Sequence, residues 1–111
     1  MLQRSAGIVM SEHPYAEVFV IFLPTEAGGR TRPINLDDHG YRPHFRIAPD
    51  GEYLGVEFVD GPEEVEPGGQ TYATVRFLYP PAVSYDALTV GTTFEILEGP
   101  HIIGHGTVTR R

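Results

Sequence analysis

Gly28-Gly29-Arg30-Thr31-Arg32-Pro33, followed after a short polar insert by Gly40-Tyr41-Arg42-Pro43-His44-Phe45-Arg46, reads as a turn, a loop and the start of a strand. Downstream, His44-Phe45-Arg46-Ile47 and Tyr53-Leu54-Gly55-Val56-Glu57-Phe58-Val59 are strand-like runs on either side of Pro49-Asp50-Gly51, an order that predicts a hairpin. Upstream, residues 14–23 hold Tyr15, Val18, Phe19, Val20, Ile21 and Phe22 between Pro14 and Pro24, a β-branched and aromatic run of strand length. Residues 25–41 are rich in glycine, proline and aspartate with little periodicity, which predicts a long surface loop of the kind that often carries function.

Residues 60–69 form a charged connector ending in Pro67-Gly68-Gly69, after which Ala73, Val75 and Phe77 alternate with Tyr72, Thr74 and Arg76. That period of two marks a strand with one buried face. Pro80-Pro81 ends it, and residues 82–90 read as a loop holding one helical turn around Tyr85-Asp86-Ala87-Leu88. Residues 92–97 and 102–110 are strands on either side of the turn Glu98-Gly99-Pro100. About six strands, no convincing helix and frequent Gly and Pro punctuation give an all-β fold, a small closed barrel that leaves no edge exposed. Gly104 and Gly106 share one face of the last strand, where a neighbouring strand or ring is expected to approach closely.

At 111 residues the chain is expected to be a single domain, with residues 1–12 as a poorly ordered or accessory segment. A domain of this size buries roughly two-thirds of its unfolded surface in one core. The apolar run Ala6-Gly7-Ile8-Val9-Met10 is too short for a signal-peptide core or a membrane span, so the expected location is the cytoplasm. Cysteine is absent, which removes disulfides, thiolate metal sites and cysteine nucleophiles. The formal net charge is −7 and there is no lysine, so all eight fixed cations are arginines. Arg30, Arg32, Arg42 and Arg46 concentrate positive charge in one stretch, partly countered by Asp37 and Asp38, while residues 50–66 carry only negative charge. An acidic chain binds nucleic acid only if its cations are clustered.

Other chemistry finds little footing. A phosphate-binding loop needs a lysine after its glycines. His101 and His105 on one strand would stand about 13 Å apart, too far to share an ion. His39 with Asp37 and Asp38 reads as a solvated turn. Ser5, Ser11 and Ser84 lie in no nucleophile turn, and Glu63, Glu64 and Glu66 read as solvated carboxylates, so no enzyme, metal or cofactor is expected. Tyr41, Phe45, Tyr53, Tyr72 and Tyr79 could stack on bases, but in a small β domain they are expected to fill or line the core.

Taken together, the chain from about Pro14 to Arg110 resembles the C-terminal β-barrel, the third domain, of bacterial elongation factor Tu. The likeness rests on the opening strand, Gly28-Gly29-Arg30, Gly40-Tyr41-Arg42-Pro43-x-Phe45, Pro67-Gly68, Pro80, and Phe94-x-Ile96-x-Glu98-Gly99-x-x-x-x-Gly104-x-Gly106. It implies a six-stranded antiparallel barrel, without the GTP-binding domain that accompanies it in the factor. In the family this barrel holds part of the T-stem of aminoacyl-tRNA, packs on the GTP-binding domain and contacts the exchange factor.

By position, the resemblance implies a contact surface of Arg30, Thr31, His44, Tyr53, Tyr79, Glu98 and Gly99, with Arg42 beside it. Arg30, Glu98 and Gly99 keep the family's usual residue types. Thr31 stands for histidine, His44 for glutamine and Tyr53 for threonine, and Tyr79 occupies a position where lysine often meets phosphate. The expected function is a non-catalytic binding module presenting an elongation-factor-Tu-like surface to another protein, either a translation component or a protein that recognises the factor. The alternative is a tRNA-binding accessory with a reduced T-stem contact through Arg30, Arg42, His44 and Gly99. Neither reading involves a membrane or a nucleotide.

Overall fold

A computed structural model describes residues 14–47 and 49–111; the N-terminal segment set apart above lies outside the described residues. Six strands, β1 (Tyr15–Phe22), β2 (His44–Arg46), β3 (Leu54–Asp60), β4 (Gln70–Phe77), β5 (Thr93–Glu98) and β6 (His101–Arg110), close an antiparallel barrel in the order β1-β4-β3-β2-β5-β6. The predicted all-β closed barrel is therefore observed, as are the β2–β3 and β5–β6 hairpins. No helix among the described residues is long and apolar enough to cross a membrane.

Alternation builds the interior. Along β1, Ala16, Val18, Val20 and Phe22 point inward, which turns Tyr15, Glu17, Phe19 and Ile21 outward. β4 contributes Ala73, Val75 and Phe77 as the period of two predicts. β2 is only three residues long, yet its central Phe45 is fully buried, stacked on Phe94 at 3.9 Å and edge-on to Phe58 at 6.0 Å. Burying such a side chain contributes about 1.5–3 kcal/mol. The ladder continues past Pro43 through irregular backbone, because the Val56 and Phe58 amides donate to the carbonyls of Pro43 and Tyr41.

The long loop after β1 is more than surface. It opens with a 3-10 turn (Thr25–Ala27) and then buries Ile34 and Leu36 in the core. Ile34 exchanges both backbone hydrogen bonds with Val65 of the β3–β4 connector, and the Leu36 amide donates to the Pro62 carbonyl. The two segments thus plug one end of the barrel together. Within the insert, Asn35 Oδ1 and Asp38 Oδ1 accept from the amides of Asp37 and Gly40, so the His39 cluster is a turn.

At the opposite end, the helical turn expected near Tyr85 is instead a hydrogen-bonded reversal, closed by the Leu88 amide on the Tyr85 carbonyl. Packing decides its shape. Tyr85 stacks on Phe77 at 4.4 Å and donates its hydroxyl to the Gly55 carbonyl at 2.6 Å, while Arg111 donates to the carbonyls of Tyr85 and Leu88. The close approach expected at Gly104 and Gly106 is present. A Cβ at Gly104 would lie 2.7 Å from the Ile21 carbonyl oxygen, and one at Gly106 would lie 2.4 Å from the Phe94 ring.

Candidate functional site

The glycine pair ahead of Arg30 is required by the backbone. Gly28 has φ +95, a left-handed conformation, and a Cβ at Gly29 would fall 2.0 Å from the Leu23 carbonyl oxygen. The turn they make delivers Arg30 to Glu98, at the end of β5 beside Gly99, whose φ of +57 closes the β5–β6 hairpin. Arg30 Nη1 and the Tyr41 hydroxyl both donate to Glu98 Oε2, each at 2.5 Å, and the guanidinium carbon stands 5.7 Å from the Tyr41 ring centroid. Burial, then the hydrogen bond and charge of Glu98, push the Tyr41 phenol far above its ordinary range, with Arg30 pulling the other way. Tyr41 therefore remains a donor at physiological pH. Thr31, Arg32 and His101 join Arg30 and Glu98 around an open depression of about 430 Å³.

A second group lies on the outer wall of β2, β3 and β5. Glu57 faces out from β3 but is only 2% exposed, because Arg76 covers it from β4 and Arg42 from the residues before β2. Arg76 bonds Oε1 at 2.8 and 3.2 Å, and Arg42 bonds Oε2 at 2.9 and 2.8 Å. The hydrogen bonds from Arg76, opposed by desolvation and helped by Arg42, hold the Glu57 carboxyl below its ordinary value. Arg46 meets Glu95 of β5 at 2.8 Å and lies 5.5 Å from the Tyr53 ring centroid.

His44 and Tyr53 pack with ring centroids 5.4 Å apart, and His44 pairs across the ladder with Gly55. The ring of Tyr79 lies over Gly55, where a Cβ would come within 2.5 Å of it. The residues singled out from the sequence thus fall into two groups. Arg30, Thr31, Glu98 and Gly99 gather at the plugged end, whereas His44, Tyr53 and Tyr79 form an aromatic strip on the wall, with Arg42 on Glu57 further along β3.

Two expectations need correction. Of the arginines that looked like a positive cluster, Arg30, Arg42 and Arg46 are each bound to a carboxylate; Arg32 alone of the four has no ion pair among the described residues. Phe45 is core, but Tyr53, Tyr72 and Tyr79 are 42%, 68% and 53% exposed. Glu63, Glu64 and Glu66 are exposed, as the solvated reading expects, and a hydrogen bond with Glu64 raises the Glu66 carboxyl above its ordinary value. Sequence reasoning also missed Glu57 and Glu95 as partners; their outward strand positions opposite arginines became visible only with the register. No known protein-family model matches the chain.

Proposed function

We propose that this barrel is a non-catalytic protein-binding module of the cytoplasm, presenting an elongation-factor-Tu-like surface to a translation component or to a protein that recognises the factor. One observation carries the reading: Arg30, Arg42 and Arg46 are held by Glu98, Glu57 and Glu95, while Tyr53 and Tyr79 are 42% and 53% exposed. Phosphate affinity comes from cations that exchange counterions for the backbone, and a guanidinium already on a carboxylate has little to exchange. Exposed tyrosines supply contact area at low entropic cost, as protein interfaces favour.

Affinity capture with the wild-type chain and with Tyr53→Ala/Tyr79→Ala at moderate salt tests this. Translation-related or factor-binding proteins should be recovered with the wild type and lost with the variant. Recovery of none, or of the same set with both, would overturn the proposal. The tRNA alternative rests on Arg32 and His101 flanking the depression beside Arg30.

A further inference from the structure

The barrel carries a different surface on the wall built by β1, β4 and β6. Phe19 and Ile21 point away from the core, Tyr72 of β4 pairs with Phe19 at a ring-centroid distance of 4.9 Å, and His105 and Thr107 of β6 flank them on the other side. Ile21 is 44% exposed and Tyr72 68%. Between Phe19 and Ile21 on one side and Thr93 and Glu95 on the other runs an open groove of about 360 Å³. Toward the plugged end, Ile21 pairs with Gln70, and the connector leading into Gln70 carries Glu63, Glu64 and Glu66, all exposed and without an ion pair among the described residues.

We infer that this wall docks a basic amphipathic segment of a partner protein, its aliphatic side chains against Phe19, Ile21 and Tyr72 and its lysines or arginines against Glu64 and Glu66. Charge decides the occupant. A second copy would bring another chain of net charge −7 and the same acidic border, and an RNA or an anionic membrane would meet that border with like charge. A cationic segment instead relieves the repulsion between neighbouring carboxylates while the apolar groups leave water.

The test is fluorescence anisotropy with a labelled leucine–lysine amphipathic peptide and its leucine–glutamate counterpart. The basic peptide should bind and the acidic one should not. Ile21→Asp/Tyr72→Ala, with unchanged circular dichroism, should weaken binding at least about tenfold. Glu64→Gln/Glu66→Gln, which leaves the core untouched, should weaken it and flatten its salt dependence. Tyr53→Ala/Tyr79→Ala should leave the peptide affinity unchanged, which separates this surface from the β2–β3 reading. Equal binding of both peptides, indifference to both the Ile21 and the Glu64 variants, or sedimentation of the wild type as a dimer that Ile21→Asp dissociates would overturn the inference.

Discussion

The two sides of the barrel wall handle their outward residues in opposite ways. On the β2–β3–β5 side, Arg42 and Arg46 each lie on a carboxylate of a neighbouring strand, Arg76 reaches over from β4 to Glu57, and even Gly55 is roofed by Tyr79. On the β1–β4–β6 side, Phe19, Ile21 and Tyr72 face outward, and the ion pair of Arg110 with Glu17 is long at 3.9 Å and exposed. Such a pair contributes about 0–1 kcal/mol. The contrast teaches that a count of cations says little about phosphate binding until their partners are known.

The largest effect tests the interior that both walls share. Phe45→Ala should cost about 3–5 kcal/mol in urea denaturation, since it empties the only fully buried position of β2 and strips Phe94 of its stacking partner. A loss below 1 kcal/mol, on the order of a surface substitution, would mean that β2 is not seated as described.

Gly106→Val attacks the other side. Its side chain must displace the Phe94 ring and crowd the Phe19 carbonyl oxygen at 2.9 Å, so a loss of about 1–3 kcal/mol or more is expected. An unaltered melting temperature in Gly104→Val or Gly106→Val would contradict the close strand packing.

Glu57→Gln sharpens the comparison through pH. The folded-state value of this carboxyl lies below its ordinary 4.5, so its ionised form stabilises the fold above that pH, and the contribution is lost as pH falls through the lower, folded value. The variant should therefore melt earlier than wild type at about pH 7, and the difference should shrink as pH falls below 4.5 through the lower, folded value. A constant offset across that range would show that the arginine bridge adds nothing specific to the charge.

Tyr72→Ala should be the mildest. With the ring two-thirds in solvent, the expected change is within about 0.5 kcal/mol by thermal melting. A larger loss would mean that the β1–β4 wall relies on the Phe19–Tyr72 pair for stability.

How much of this was legible in the sequence depended on whether the signal was local. The Ala73, Val75 and Phe77 alternation, the Pro49-Asp50-Gly51 turn and the Glu98-Gly99-Pro100 turn each announce themselves within a few residues, and the strands follow. Val18-Phe19-Val20-Ile21-Phe22 is an unbroken apolar run, so nothing in it says that Phe19 and Ile21 face out. The buried Ile34 and Leu36 are set among Pro33, Asn35 and Asp37, and their role needs Val65 and Pro62 from the connector. Site partners were hardest, because Arg30 meets Glu98 across 68 residues of sequence and only the barrel's register brings them together.

On the candidate surface Arg30, Arg42 and Arg46 are held by the protein's own carboxylates, and the proposed recognition therefore rests on exposed aromatic and aliphatic groups. Filter binding of tRNA across a salt series starting at about 50 mM measures this most directly. No retention even at the lowest salt is the predicted result. Saturable binding that falls steeply with salt and is weakened by Arg30→Ala or Arg42→Ala would contradict it.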